Sequence, residues 1–298
     1  MFKKILYPTD FSEYARATLE CAGELKSIGA EEVVLLHVID EKSVIGISGS
    51  AAPDLLVAEL QKEVEKKLEE LKIMVEKQGM EARIVKPVPL GSPADEIIKI
   101  AGKEDASLIL IGARGKGLIR EAFLGSVSHK VVRGATKPVI VTKLKVAQKL
   151  GKTYCELLFK PMFRKILYST DFSECAERAL EYVKRVKEAG AEEVVALHVV
   201  EKGETKEEIE RNKKEAEKHL EGLADELKKL GFKVKALVEV GIPSKEILKV
   251  ANEEKATIIM MGSRGLGFVR GMLIGSTSDK VVREAEVPVF LCKREISL

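Results

Sequence analysis

The chain has 298 residues, with 50 Lys and Arg against 47 Asp and Glu, so its formal net charge is only +3. This balance, without a basic tail, argues against nucleic-acid binding. The length suggests two domains, and no segment approaches the roughly 18 apolar residues of a membrane span. Asp10 interrupts the short apolar run at the N-terminus, which therefore does not resemble a signal peptide. We expect a cytoplasmic protein that contacts neither membranes nor nucleic acid.

Strands and helices are predicted to alternate along the first half of the chain. Apolar runs predict strands, whereas apolar residues spaced three or four apart predict amphipathic helices. Gly29 and Gly79 end two helices, and Pro93 begins a third. In chain order the predictions are a strand at 3–7, a helix at 12–28, a strand at 33–38, a helix at 59–78, a strand at 83–88, a helix at 93–101, a strand at 108–111, a helix at 125–132 and a strand at 138–142.

The second half of the chain repeats the first. Lys4–Glu13 (KILYPTDFSE) returns as Lys165–Glu174 (KILYSTDFSE), and Gly112–Gly115 (GARG) returns as Gly262–Gly265 (GSRG). A repeat on this scale predicts two copies of one supersecondary plan. The predicted division is a first domain at 1–143, a linker at 144–162 and a second domain at 163–298.

Each copy is predicted to be an α/β domain, because alternating strands and helices favour a parallel sheet covered by helices on both faces. With right-handed crossovers, five such strands form a doubly wound, Rossmann-like sheet. A ligand of such a sheet binds beyond the carboxyl ends of the strands, where the strand order reverses. The motifs at these ends are therefore the candidates for function.

Two segments depart from the repeat. Residues 43–56 contain Gly46, Gly49 and Pro53 and have no counterpart of equal length in the second copy. We expect a mobile loop there, with capping of a site or contact with a partner as alternative roles. The linker stretch Val146–Leu158 mixes apolar and charged residues around a single glycine, and we expect a short helix rather than a flexible tether.

The cysteines and histidines give no sign of a metal site. No cysteine forms a C-x-x-C pair or lies at zinc-ligand spacing from a histidine, so we expect reduced, mostly buried thiols. His37 and His198 recur at equivalent strand ends, which favours a hydrogen-bonded histidine beside the core over a general base. His219 lies on a charged helix face, where we expect it to be solvated. The four cysteines are Cys21, Cys155, Cys175 and Cys292.

The first predicted strand of each copy ends at an aspartate, in Pro8-Thr9-Asp10 and in Ser169-Thr170-Asp171. One interpretation is helix capping, because a glutamate follows each aspartate at capping-box spacing. The other is a carboxylate at the point where strand order reverses, which would accept hydrogen bonds from a ribose or hold a cation. The two interpretations are compatible.

The fourth strand of each copy runs into a glycine-rich turn with the pattern G-x2-G-x9-G-S. Glycines let backbone N–H groups approach a phosphate, and the serine opens a helix whose amides and dipole attract anions. Arg114 and Arg264, inside the turns, could add charge-assisted hydrogen bonds. A turn needed only for chain geometry is the alternative, which the identical spacing in both copies weakens.

The strand-end aspartate combined with G-x2-G-x9-G-[S/T] closely resembles the nucleotide-binding type of the universal stress protein family, over nearly the whole chain apart from the linker. The resemblance implies an adenine nucleotide alpha hydrolase-like fold with one ATP or AMP in each domain, and Mg²⁺ as a candidate cation. It places the aspartate segment beside the ribose, Val38 and Val199 against adenine, and the glycine turn with its serine against the phosphates. The implied nucleotide-binding residues are Pro8, Thr9, Asp10, Val38, Gly112, Arg114, Gly115, Gly125, Ser126 and Val127 in the first copy, and Ser169, Thr170, Asp171, Val199, Gly262, Arg264, Gly265, Gly275, Ser276 and Thr277 in the second.

The resemblance also implies dimerisation through the last strand. Residues 138–141 could pair with 288–291 within one chain, giving a pseudo-dimer of the two domains, and two tandem chains could assemble further into a homodimer. The second copy departs from the first in having Ser169 in place of Pro8 and in lacking a counterpart of equal length to residues 43–56. We therefore expect the two sites to differ in affinity.

Missing motifs narrow the function. The sequence has no Walker A pattern, no G-x-G-x-x-G after the first strand and no G-x-S-x-G elbow, which argues against a P-loop ATPase, a dinucleotide oxidoreductase and a serine hydrolase. The favoured function is an adenine-nucleotide-binding stress-response or regulatory protein whose occupancy changes its conformation or partners. Slow ATP hydrolysis or nucleotidyl transfer at the same sites is the enzymatic alternative, and a scaffold with degenerate sites is a third; no catalytic residue is assigned.

Overall fold

The computed structural model describes residues 2–20, 22–45, 53–113, 124–149, 152–157, 161–201, 205–265 and 274–293. The chain divides into two compact units. The first unit is Met1–Val139 with Leu144–Leu157, and the second is Ile140–Lys143 with Leu158–Leu298. Both are built from parallel strands alternating with helices, so the predicted fold class of two tandem α/β, Rossmann-like domains is confirmed.

The first unit follows the predicted alternation of strands and helices. Its parallel strands lie in the order β6-β1-β2-β4, and Ile109 donates a backbone hydrogen bond to Pro138, just before β7. The elements are β1 (Lys4–Pro8), α1 (Glu13–Glu20), α2 (Ala22–Lys26), β2 (Glu32–Leu36), β3 (Ile39–Asp40), α3 (Glu41–Ile45), α4 (Pro53–Lys77), β4 (Glu81–Ile84), β5 (Leu90–Gly91), α5 (Pro93–Lys103), β6 (Leu108–Gly112), α6 (Ser126–Gly134), β8 (Leu144–Lys149) and β9 (Lys152–Leu157). Between α6 and β8 lies β7 (Val139–Thr142), of which Val139 belongs to this unit and the other residues to the second.

The second unit repeats this plan, and two of its strands are longer than their counterparts. Its sheet has the order β14-β13-β10-β11-β12, and every pair is parallel. Because the chain builds outward from β10 first to β11 and β12 and then to β13 and β14, the strand order reverses between β10 and β13. The elements are β10 (Lys165–Ser169), α7 (Glu174–Arg185), a 3-10 turn (Val186–Ala189), β11 (Glu193–Glu201), α8 (Lys206–Lys229), β12 (Lys233–Gly241), α9 (Pro243–Glu253), β13 (Ile258–Gly262), α10 (Ser276–Glu284) and β14 (Val289–Cys292).

A buried tyrosine ties the first strand of each unit to the helix that follows it. The hydroxyl of Tyr168 donates to the carbonyl of Ala176 at 2.8 Å, and Tyr7 makes the equivalent bond to Ala15. Burial raises the pKa of Tyr168 well above its usual value, so the phenol remains a neutral donor. Each bond connects the two ends of the loop that carries the strand-end aspartate.

Ion pairs cluster at the amino ends of the strands, away from that loop. In the second unit, Glu254 contacts Lys165 at 3.3 Å and also pairs with Lys235, and its hydrogen bond from Lys235 lowers the pKa of Glu254. In the first unit, Glu104 pairs with Arg83 in the same way. These ion pairs stabilise the edge of each sheet at the amino ends of its strands, whereas ligands of such sheets bind at the carboxyl ends.

Two prolines shorten the sheet of the first unit. In the second unit β11 and β12 pair along nine residues each, whereas in the first unit the equivalent strands break into β2 with β4 and the short pair β3 with β5. Pro87 and Pro89 lie in the gap, where the second copy has Leu237 and Glu239. Proline has no N–H to donate to a ladder, so the ladder stops and resumes only at Leu90.

The helix predicted for the linker is wrong. β8 and β9 instead form an antiparallel hairpin, in which Leu144 pairs with Leu157 and Lys149 with Lys152. The strand formers Val146 and Tyr154 favour this outcome once a partner strand is close by in the chain.

The loop predicted at residues 43–56 is only partly correct. Its first residues belong to α3 and its last to α4, and the residues from 46 to 52 lie outside the described part of the chain. No helix in the described part of the chain is both long and apolar enough to cross a membrane.

Candidate functional site

The loop after the first strand has the same hydrogen bonds in both units. The backbone N–H of Thr170 donates to Leu197 at 2.9 Å, which extends the strand pairing by one residue. Its hydroxyl then accepts from the N–H of Phe172 at 2.9 Å. In the first unit Thr9 bonds to Leu36 and Phe11 at 2.8 and 3.0 Å. Each aspartate is therefore presented at the end of a strand on a loop of fixed shape.

Each aspartate orients its loop without capping the helix, so the predicted capping box is wrong. The N-cap of α7 is Ser173, whose hydroxyl accepts from the N–H of Ala176 at 3.3 Å. Asp171 uses Oδ1 to accept from the N–H of Ser173 at 3.1 Å. Asp10 likewise accepts from the N–H of Ser12 at 3.0 Å. The serine between aspartate and glutamate is a good N-cap in its own right, and it displaces the aspartate from that role.

A strained phenylalanine and a histidine stack beside each aspartate. Phe11 and Phe172 have positive φ angles of 61° and 59°, a conformation uncommon outside glycine. Phe172 stacks on His198 with ring centroids 4.6 Å apart, and Phe11 stacks on His37 at the same distance. Backbone strain of this kind clusters at ligand sites. The sequence did not single out either phenylalanine.

The histidine of each stack is hydrogen-bonded, as expected. Nδ1 of His198 donates to the carbonyl of Thr170 at 2.9 Å, and His37 bonds to Thr9 at 2.7 Å. Burial lowers the pKa of His198, against the opposing effects of the Thr170 carbonyl and of Asp171. His219 is exposed, as predicted, but its ring also contacts Phe172 at 5.0 Å, where the first unit places Lys67 over Phe11.

The low pKa of His198 predicts weaker stability of the second unit in acid. The folded state binds this proton less readily than the unfolded chain, so stability is full above an unfolded pKa of roughly 6.5 and falls as pH drops below it. Urea unfolding across this range should show the loss, and His198→Asn, which keeps a donor for Thr170, should reduce it. An NMR titration in which His198 protonates more readily than a free histidine would contradict the prediction.

The glycine turn of the second unit packs tightly on the strands that carry it. Ser263 is fully buried, and its N–H donates to the carbonyl of Cys292 at 2.9 Å while its carbonyl accepts from Gly275 at 2.7 Å. Ser278, in the first turn of α10, donates to the carbonyl of Gly262 at 3.0 Å. These bonds hold the end of β13 and the start of α10 together.

The aspartate and the glycine turn meet at one place in the second unit. A Cβ placed on Gly265 would lie 2.3 Å from Oδ2 of Asp171, so a side chain at this position would displace the carboxylate or the turn. A Cβ on Gly275 would lie 3.9 Å from the N–H nitrogen of Gly265. The carboxylate, the turn and the start of α10 thus surround one small region at the carboxyl edge of the sheet.

The helix that begins there is suited to an anion. The N-cap of α10 is Gly275, which offers no side chain to the helix, and Ser276 is exposed. The first N–H groups of any α-helix have no partner within the helix and carry its positive dipole end. Gly125 and Ser126 give α6 the same start in the first unit. Both helices therefore present backbone donors to a phosphate-sized ligand.

The predicted site residues are brought together to different extents. In the first unit the Ser128 hydroxyl donates to the carbonyl of Gly112 at 2.7 Å, and the N–H of Gly125 donates at 2.7 Å to the carbonyl of the next residue, Ala113. Arg114 and Gly115 lie outside the described residues. Val38 is buried and Val199 half-buried, just beyond β2 and within β11. The remaining predicted residues lie at the strand ends and helix starts described above: Pro8, Ser169, Val127, Arg264 and Thr277.

A cleft of about 340 Å³ opens beside this region in the second unit. It lies at the carboxyl ends of β11 and β12 and at the starts of α9 and α10, and its volume is within the range of small-molecule sites. Of the predicted residues it contains only Ser276 and Thr277; the sequence did not identify the others. Its lining residues are Glu201, Gly241, Ile242, Pro243, Ser244, Ser276, Thr277 and Lys280.

The described residues contain no group of three or more His, Cys, Asp or Glu side chains placed to hold a metal ion. Cys175 and Cys292 are buried, which agrees with the expectation of mostly buried cysteines. The side chains of Cys21 and Cys155 lie outside the described part of the chain.

Comparison with known proteins identifies the family. The family model for universal stress proteins matches residues 1–143 and again residues 162–293. Universal stress protein MJ0577 of Methanocaldococcus jannaschii is 40% identical over 159 residues, covering 46% of this chain and 98% of that protein. Universal stress protein Slr1230 of Synechocystis is 25% identical over 309 residues, covering 97% of this chain and 99% of that protein. The crystal structure of a universal stress protein from Archaeoglobus fulgidus is similar with a TM-score of 0.75 and 33% identity, over 99% of both chains. The chain therefore belongs to the universal stress protein family and carries two family domains in tandem.

Proposed function

We propose that each domain binds one adenine nucleotide, ATP or AMP, at the carboxyl edge of its sheet. The supporting observation is the meeting of Asp171, Gly265 and the start of α10 around one small region. A carboxylate suits ribose hydroxyls, whereas bare backbone N–H groups at a helix start suit phosphate. A nucleotide carries both groups.

The roles of the residues follow from this placement. Gly265 and the first amides of α10 would hold the phosphates, and Asp171 would accept hydrogen bonds from the ribose. Val199, on β11 beside the cleft, would contact the adenine ring. A Mg²⁺ ion would bind here mainly through the phosphate oxygens of the nucleotide. Its coordination shell then needs few protein carboxylates. Asp171 is the carboxylate placed to assist.

Nucleotide binding would then act as a signal. The loop that carries Asp171 is connected to α7 by the Tyr168 hydroxyl and to β11 by the His198 hydrogen bond. A ligand that moves this loop would therefore also move α7 and β11. A ligand shifts a conformation only as far as it binds one state better than another. We infer a regulatory, stress-related role in which nucleotide occupancy changes the partners that the protein contacts.

The proposal predicts a large stabilisation by nucleotide. A site filled to 100 times its dissociation constant should stabilise its domain by about 2.7 kcal/mol. Thermal unfolding with ATP, AMP and GTP, together with identification of any nucleotide that copurifies, measures this directly. If no nucleotide shifts the unfolding temperature, the proposal is wrong.

Aspartate variants assign the effect to each domain. Asp171→Asn keeps an acceptor for Ser173 but loses the charge, and it should weaken nucleotide binding at the second site by about tenfold or more, since hydrogen bonds to charged groups contribute roughly 1.5–3 kcal/mol. Asp10→Asn should do the same at the first site. Asp225→Asn is the control, because Asp225 is exposed on α8 and pairs only at the surface with Lys228.

A further inference from the structure

Two buried cysteines lie directly beneath the glycine turn of the second unit. Cys175 is in the first turn of α7 and Cys292 ends β14, and their exposed fractions are 6% and 2%. The Cys175 thiol donates to the carbonyl of Cys292 at 3.2 Å. The first copy has Tyr14 and Thr142 at these positions, so the pair is specific to the second unit.

Both backbones are fixed around the same glycine. Gly262 pairs with Cys292 across the parallel ladder of β13 and β14. On its other side, a Cβ on Gly262 would lie 2.9 Å from the carbonyl carbon of Cys175. The Sγ atom of Cys175 lies within hydrogen-bond distance of the Cys292 backbone. The two residues are therefore in direct contact, which a disulfide formed without a change of fold requires.

The surroundings of Cys175 favour its thiolate, which is the reactive form of cysteine. Hydrogen bonding from Cys292 lowers the pKa of Cys175 to about 6, against the opposing effect of burial. Ser263 contributes a further contact at 3.9 Å. Lys293 is only 4% exposed and within electrostatic range of Cys175; burial lowers the pKa of this lysine to about 8. The buried ammonium group is a counter-charge for the thiolate.

We propose that Cys175 and Cys292 are a dithiol that hydrogen peroxide oxidises to a disulfide beneath the glycine turn of the second unit. The Cys175 thiolate attacks one peroxide oxygen and breaks the O–O bond, forming a sulfenic acid and releasing hydroxide. The Cys292 thiol then attacks the sulfenic sulfur, which forms the S–S bond and releases water. The hydroxide takes up the proton that Cys175 lost on ionising, so the two thiols lose two electrons and one hydrogen peroxide is reduced to two waters.

The disulfide would join two elements that hold the turn. Ser263 donates to the carbonyl of Cys292, and the carbonyl of Arg264 accepts at 3.4 Å from Ser173, which lies two residues before Cys175. Oxidation would thus reshape the second turn and leave the first copy unchanged. The consequence, weaker nucleotide binding at the second site alone, rests on the proposed function, whereas formation of the disulfide does not.

Peptide mapping of the full chain tests the proposal. The reduced protein is treated with hydrogen peroxide, alkylated and digested without reductant. We expect a linked peptide joining Cys175 to Cys292, which disappears on reduction, and which also forms when Cys21 and Cys155 are both replaced by serine. Cys292→Thr, which installs the residue of the first copy, should abolish the linked peptide and leave Cys175 as a sulfenic acid that a dimedone probe captures.

Three results would overturn the proposal: recovery of both cysteines as alkylated thiols, oxidation of Cys175 to higher acids without linkage, or linkage to Cys21 or Cys155 instead. Circular dichroism verifies that Cys292→Thr is folded. Calorimetric titration with ATP before and after oxidation then measures the consequence separately: unchanged binding would remove the regulatory role and keep the disulfide, and absence of ATP binding in both states would refute the proposed function instead.

Discussion

Gly265→Ala should weaken adenine nucleotide binding at the second site by at least about tenfold, or ~1.4 kcal/mol. The new Cβ would lie 2.3 Å from Oδ2 of Asp171, while Oδ1 of the same carboxylate is held by the N–H of Ser173. The aspartate therefore has to leave its place, or the turn has to move away from α10. Either change separates the group for the ribose from the groups for the phosphates.

Isothermal titration of the full chain with ATP measures this effect. The expected result is a fall from two binding events to one at moderate ligand concentrations, with the first site unaltered. Gly222→Ala is the matched control, because Gly222 lies on α8 and a Cβ there meets nothing within 4 Å. If Gly265→Ala binds two nucleotides with unchanged affinity, Asp171 and Gly265 do not belong to one site.

Gly262→Ala should destabilise the second domain by about 1–3 kcal/mol, the usual cost of overpacking. The new Cβ would lie 2.9–3.1 Å from three backbone atoms, two of Cys175 and one of Ala176. A backbone at the start of a capped helix cannot rotate away as a side chain can. The strand and the helix must therefore separate. We expect this to lower the free energy of unfolding before it affects ligand binding.

The first copy provides the comparison for this prediction. A Cβ on Gly112 would meet the Tyr14 ring at 2.9 Å and the Thr18 hydroxyl at 3.1 Å, both of them side-chain atoms that can shift. Urea unfolding of the three variants should show the largest loss of stability for Gly262→Ala and a smaller one for Gly112→Ala, whereas Gly222→Ala should give a gain of up to about 1 kcal/mol because alanine favours a helix interior over glycine. Equal losses for Gly262→Ala and Gly112→Ala would show that backbone contact is not what makes Gly262 necessary.

The fold was predictable because its signals are local and repeated. Apolar runs such as Leu108–Gly112 are buried along their length, and Pro93 begins α5 as its position suggested. The linker hairpin was missed because its pairing depends on a second strand, and a stretch such as Leu144–Lys149 has no strong helical or strand period when read alone. Pairing between segments decides such cases more than propensity does.

The site was predictable where chemistry leaves a sequence pattern. The glycines and aspartates recur at fixed spacing, so their meeting at Asp171 and Gly265 could be expected. The left-handed conformation of Phe172 could not, because an aromatic residue carries no signal for it. The capping role passed from Asp171 to Ser173 because two good cap residues lie close together, and only the backbone path selects between them.

The prolines that split one sheet also set how each domain can open. In the second domain, β11 and β12 form one uninterrupted ladder up to Glu201 and Gly241 at the mouth of the cleft. In the first domain the equivalent position is formed by the short, separate pairing of Ile39–Asp40 with Leu90–Gly91. Separating these two strands breaks far fewer hydrogen bonds than separating β11 from β12, so amide protons there should exchange with solvent sooner. The first domain would then open and exchange its ligand faster than the second, so one polypeptide would respond to the ligand on two timescales.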